Sequence, residues 1–295
     1  MKRLSALLCA ILFLCACGRV SVPTDVPITV MTTIPQTRSG PENRTVRVGV
    51  TQLLADSDLL LRLRRAFESQ SDYRLEFAAS ADTSAVAVAQ SGGADLLLVQ
   101  QGMAADRFVS VGDGAQCIDW MHTSLILAGP ADDPADVRAS SSAAEAFSRI
   151  AKTTSLFVSR YDDSDLCIAE DRLWRDAGVS IGNGRSWYKA ARMEMAGSLR
   201  MADSIGAYIL CEKESFLQNR DEIKLEILLD GTPDLRVSYC VIPVRADIAE
   251  RINASGALIF VEWLQGDEAK RIITTYGTDS YGCPIYDLEN MEESQ

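Results

Sequence analysis

Three short turns collect the residue types that hold an anion without covalent chemistry. They are Thr51-Gln52-Leu53-Leu54-Ala55-Asp56-Ser57, the stretch from Ser80 to Ser84, and Ser159-Arg160-Tyr161-Asp162-Asp163-Ser164. Each sits between an extended run and a segment with apolar residues at helical spacing. Amides at a helix start lack intrahelical partners and lie at the positive end of the dipole. Short hydroxyl side chains and one Arg complete a shell around a tetrahedral oxyanion. The candidate ligand-binding residues are therefore Thr51, Gln52, Ser57, Ser80, Ser84, Ser159, Arg160 and Ser164. The same residue types are also ordinary N-caps worth about 1 kcal/mol each, so capping alone stays open for any single turn.

Other chemistries find little support. The chain has one histidine, His122, and no Cys-x-x-Cys pair, which argues against a zinc site. His122 reads better as a structural or hinge residue. There is no Gly-x-Ser-x-Gly elbow and no phosphate loop, so neither an enzyme nor a cofactor is expected. Asp132-Asp133 and Asp162-Asp163 lie in turn contexts, and Trp120, Trp174, Trp187 and Trp263 lie mostly in apolar segments that suit a core. A net charge of −12 excludes nucleic acid as a partner, which would need clustered Lys and Arg.

The elements that must position these turns alternate. Extended runs at 45–50, 73–78, 94–99, 124–128, 156–159, 206–210, 225–229 and 238–244 are interleaved with helical patterns at 59–67, 83–90, 143–151, 166–177, 192–203 and 256–265. That alternation predicts an α/β class built on parallel sheets, whose ligands bind beyond the carboxyl ends of the strands. With 295 residues the chain exceeds what one core usually serves, so two lobes are expected.

The N-terminus adds a location. Lys2 and Arg3 precede an apolar run over 4–14 that is too short to span a bilayer as a helix. It ends in Leu14-Cys15-Ala16-Cys17, which resembles the bacterial lipobox. That resemblance implies a signal peptide over 1–16, lipid on Cys17 and a protein tethered to the extracytoplasmic face of the cell membrane. Residues 17–44 are rich in Pro, Thr, Ser and Val and read as a flexible tether, and 288–295 read as an acidic tail. Of eight cysteines, five belong to the folded part: Cys117, Cys167, Cys211, Cys240 and Cys283. One or two bridges with a free thiol, or five thiols, fit equally.

From residue 46 to 286 the chain resembles the substrate-binding component of bacterial tungstate importers, within the type II periplasmic solute-binding proteins. The landmarks are Gly93-Ala-Asp-Leu-Leu-Leu-Val99, Gly129-Pro-Ala-Asp-Asp-Pro134, Phe157-Val-Ser-Arg160, Leu173-Trp-Arg-Asp-Ala-Gly178, Trp187-Tyr188, Met201-Ala-Asp203, Gly206-Ala-Tyr208, Val241-Ile-Pro-Val244 and Phe260-Val-Glu-Trp-Leu264. The resemblance implies two mostly parallel sheets with flanking helices, joined by two crossover strands. It implies one lobe over 45–122 plus 241–287, a second over 123–240, and crossings near 120–124 and 239–242. It also implies a monomer that hands tungstate, molybdate or a related oxyanion to ABC permease subunits.

The departures from the family fall in the ligand pocket. Leu53 and Leu54 stand where the family has hydroxyls, and Asp58 and Tyr161 where it has glycine. Gln116-Cys117 replaces a basic pair, and Asp165 follows Ser164 at the third turn. Donors and positive charge are lost while carboxylates and bulk are gained. Two further readings therefore stand beside the first. One is a receptor for a small organic or cationic solute served by Asp58 and Asp165; the other is a lipoprotein that acts as a sensor or interaction module without transport.

Overall fold

The structure is a computed structural model that describes residues 44–288, apart from Asp56, Asp163 and residues 182–184. The expected signal peptide over 1–16, Cys17, the expected tether up to residue 43 and all of the 288–295 tail except Leu288 lie outside the described residues.

The strands are β1 (Thr45–Thr51), β2 (Arg74–Ser80), β3 (Leu96–Gln100), β4 (Ile118–Gly129), β5 (Phe157–Ser159), β6 (Tyr188–Ala190), β7 (Tyr208–Glu212), β8 (Glu226–Leu229), β9 (Arg236–Pro243) and β10 (Asp287–Leu288). The helices are α1 (Gln52–Ala55), α2 (Leu59–Gln70), α3 (Asp82–Gln90), α4 (Met103–Ser110), α5 (Ala143–Thr153), α6 (Asp165–Asp176), α7 (Met195–Ile205), α8 (Lys213–Asn219), α9 (Ala254–Leu264), α10 (Asp267–Thr275) and α11 (Thr278–Tyr281). The helical turn chemistry is legible locally. Ser142 caps α5 by accepting from the Glu145 N–H, and the Glu145 carboxylate returns a bond to the Ser141 N–H.

The strand order is β2-β1-β3-β9-β4-β7-β5-β6, with β10 and β8 also paired to β4. The fold is the expected two-lobed α/β type, and its strands fall into two groups that meet in β4. Residues 118–124 of β4 pair with β9, whereas Leu125–Ala128 pair with β7 and Leu127–Gly129 with β8. The sheet is more mixed than the sequence suggests. Parallel pairing joins β1 to β2 and β3, and β5 to β6 and β7. Every pairing through β4 and β9 is antiparallel, because these two strands run in opposite directions between the groups.

Burial explains why these segments are strands. Leu96, Leu97, Leu98 and Val99 are all fully buried, as a strand covered on both faces must be. At the foot of β3, Asp95 is fully buried and clasps Arg47: it accepts from the Arg47 N–H at 2.7 Å and from its Nε at 3.1 Å. It accepts from Arg47 Nη2 at 2.5 Å and from the Asn253 N–H at 2.8 Å as well. One carboxylate thus ties β1, β3 and the start of α9 together.

The second group packs on aromatics. Trp174 lies edge-on to Phe147 and Phe157, at centroid separations of 4.4 and 5.0 Å, and tilts against Trp187. Beneath it Glu170, 3% exposed, accepts at Oε1 from Trp174 Nε1 (3.2 Å) and from the Tyr188 hydroxyl (2.7 Å). Burial raises the Glu170 carboxyl to about 7, against the Tyr188, Ser159 and Trp174 bonds that lower it. Trp120, Trp174 and Trp187 are buried and Trp263 half-buried, in line with core packing. Asp133 plays a turn role, accepting from the Val137 and Arg138 N–H groups and from the Tyr208 hydroxyl. All five described cysteines are free thiols, with only Cys211 and Cys240 buried.

Candidate functional site

The ends of β1, β5 and β7 deliver their turns to one place. Two adjoining cavities lie there, of about 230 and 180 Å³, and Leu53, Arg160 and Glu212 line both. Ser57, Ser124, Lys213 and Ser215 also line the larger. The smaller adds Gln52, Ser164 and Asp165. Since α1 follows β1, α6 follows β5 and α8 follows β7, helix starts surround the space.

Arg160 is the central cation. Its Nη2 pairs with Asp162 at 2.7 Å, and its Nε is buried with no hydrogen-bond partner among the described residues. The turn that carries it is strained. Tyr161 has φ of +54°, the left-handed region that suits the glycine expected there, which costs a bulky L-residue about 1–2 kcal/mol. The Tyr161 N–H donates to Ser159 Oγ at 3.0 Å, and the Arg192 guanidinium covers the Tyr161 ring at 5.0 Å. Ser164 closes the turn as the N-cap of α6, accepting from the Cys167 N–H.

The sequence candidates separate in space. Arg160, Ser57, Gln52 and Ser164 line the cavities. Ser57 is buried and its hydroxyl donates to the Leu54 carbonyl at 2.9 Å. Thr51 is fully buried at the end of β1 and donates to the Asp165 carboxylate at 3.0 Å. Ser80 sits opposite Thr51 in register, and Ser84 is exposed on the first turn of α3; neither lines these two cavities. Ser159 is buried and faces a separate cavity beside Tyr161, Glu170 and Tyr188.

Sequence reasoning missed the contribution of α8 and the crossover. Lys213 begins α8 immediately after β7, the same strand-to-helix signal that marked the other turns. It pairs with Asp230 at 2.8 Å while lining the larger cavity. Next to it, burial raises the Glu214 carboxyl, and the Tyr276 hydroxyl donates to that carboxyl at 2.5 Å. The site thus mixes two cations with several acids, and its chemistry is that of reversible binding.

Comparison with known proteins identifies the family and the fold. Residues 35–268 match the PBP superfamily domain. The chain is 32% identical to the tungstate-binding protein TupA of Peptoclostridium acidaminophilum over 241 residues, covering 81% of this chain and 84% of that one. Among solved structures, the tungstate ABC transporter protein of Geobacter sulfurreducens superposes with a TM-score of 0.67 at 27% identity, over 79% of this chain and 98% of the other. The tungstate-binding protein TupA of Desulfovibrio alaskensis G20 superposes with a TM-score of 0.77 at 23% identity, over 83% and 98%, a likeness of fold. The chain belongs to the PBP superfamily and, within it, to the family of tungstate-binding components of ABC importers, which are solute-binding proteins and not enzymes.

Proposed function

We propose that the chain is the extracytoplasmic solute-binding component of an ABC importer for tungstate or a related oxyanion, held at the membrane by lipid on Cys17. The observation that carries the reading is Arg160, a half-buried guanidinium at the junction of two cavities, whose buried Nε has no acceptor among the described residues. A buried cationic donor without an acceptor is costly, and an oxyanion oxygen supplies what it lacks. Ser57, Ser164 and Gln52 line the cavities with it, the Thr51 hydroxyl lies at the end of β1 against Asp165, and Ser80, Ser84 and Ser159 belong to the surrounding turns.

The lobes in this reading are 45–122 with 241–287, and 123–240. The ligand bridges them and favours closure about the crossovers, and the closed monomer is what the ABC permease subunits engage. Titration calorimetry of the exported chain with sodium tungstate is expected to show sub-micromolar binding that phosphate does not match. Replacing Arg160→Ala should weaken tungstate binding about tenfold to a hundredfold, the range for losing hydrogen bonds to a charged group. Silence with tungstate and molybdate alike sinks the proposal, and a melting shift with an amino acid or a cation instead would favour another solute.

Lipid anchoring has its own test. Expressed with its own N-terminus, the protein is expected in the membrane fraction, and Cys17→Ser should leave it unacylated and release it. An unchanged distribution in the variant would exclude Cys17 as the anchor.

A further inference from the structure

The cleft already contains a carboxylate where an anion would be held. Asp165, the first residue of α6, reaches from the second strand group to the first, and the Thr51 hydroxyl donates to it at 3.0 Å. The N–H of Asp82, the first residue of α3, donates to the same carboxylate. A threonine hydroxyl at a strand end and an amide at a helix start are the donors that suit this corner to an anion. The Asp82 side chain lies alongside, accepting from the Gln100 N–H at 3.4 Å and bonded to Thr51. Two carboxyls therefore share one threonine across the junction of the strand groups.

Little positive charge faces this pair. Glu212 at the end of β7 and Arg160 line the same small cavity as Asp165, and Arg160 already pairs with Asp162. The buried phenol of Tyr239, on β9, is raised by burial and also by the charges of Tyr286, Asp82, Glu212 and Asp165 around it. An oxyanion entering here meets a protein carboxylate that has taken its donors.

We propose that Asp165 determines what the cleft can hold: its carboxylate occupies the donors that an entering oxyanion needs, so the anion is admitted only together with a proton. This rests on the oxyanion reading and adds a condition to it. One proton from solvent joins the Asp82–Asp165 pair as the anion enters, and no covalent bond forms or breaks. A protonated Asp165 becomes an O–H donor to the anion in place of a repelling oxygen. The site is suited to hold such a proton near neutrality. Burial and then the charge of Asp165 raise the Asp82 carboxyl to about 7, and burial raises Asp165. Binding therefore tightens as pH falls.

Calorimetry of sodium tungstate binding from pH 6.5 to 8.5, in buffers of differing ionisation enthalpy, tests this. The wild type is expected to take up about one proton per tungstate near pH 8, with affinity falling about tenfold per pH unit above pH 7. Asp165→Asn should bind at least about tenfold more tightly than wild type at pH 8.5, with a flattened pH profile, since that gap is the wild type's own loss over one pH unit or more. Asp82→Asn should also lose the proton uptake, a second route to the same result. Wild-type binding that ignores pH, or an Asp165→Asn variant that keeps the wild-type slope or binds more weakly, overturns the role of Asp165. Silence of the wild type with binding restored in Asp165→Asn would keep that role and reject the wild type as a tungstate receptor. Silence of both rejects the two readings together.

Discussion

Asp95→Ala is expected to lower the free energy of unfolding by about 3–5 kcal/mol, the usual penalty for removing one partner of a buried ion pair. The Asp95 side chain is fully buried and that of Arg47 is 24% exposed. Truncation strands a mostly buried guanidinium and also leaves the Arg47 and Asn253 N–H groups without their acceptor. Arg47 keeps two weaker attachments, Nη1 to the Gly92 carbonyl and Nη2 to the Arg251 carbonyl, each at 2.9 Å. Denaturant unfolding of wild type and variant measures the difference. A loss below about 1 kcal/mol would mean that these carbonyls satisfy the guanidinium unaided and that the carboxylate is not the clasp it resembles.

Glu170→Gln is expected to stabilise the protein above neutral pH, in the opposite direction to most core substitutions. A carboxyl raised in the folded state, here to about 7 from 4.5, ionises more readily once the chain unfolds. Its stabilising contribution is complete below about pH 4.5 and is lost as pH rises through about 7. The full shift corresponds to roughly 3 kcal/mol. The amide keeps what matters for packing, because Trp174 Nε1 and the Tyr188 hydroxyl both donate to Oε1, an oxygen that glutamine also has. Thermal melts at pH 5, 6, 7 and 8 should show the variant level with wild type at the acid end and ahead by several degrees at pH 8. Parallel curves would show that Glu170 stays ionised in the folded protein.

Much of the architecture can be read along the chain because it is local. The four buried residues 96–99, the helical spacing of Leu59, Leu60, Leu63 and Phe67, and the Ser142 and Ser164 caps are short-range signals. What escapes is long-range. Glu170 lies on the same face of α6 as Leu166, Leu173 and Trp174, and a glutamate there reads as a solvent residue until Trp174 and Tyr188 are seen to close over it. The candidate site shows the same divide. Arg160 and Ser164 are marked by their turn, yet Asp82 and Asp165, 83 positions apart by number, meet only because β2, in register beside β1, and β5 end at one junction. The antiparallel returns through β4 and β9 are likewise invisible to periodicity, since a buried strand has the same pattern in either direction.

The position of β9 between β3 and β4 also dictates an order of assembly. The strands that meet the far half of β4 all come from residues 157–229, so the middle of the chain can complete its own layer. The opening strands cannot: β3 keeps a bare margin until residues 236–243 have been synthesised, and closing that gap joins segments more than a hundred positions apart. A polypeptide emerging from its first residue onward therefore stays unfinished at its leading end until nearly all of it exists, which favours passage through a narrow conduit before folding is complete.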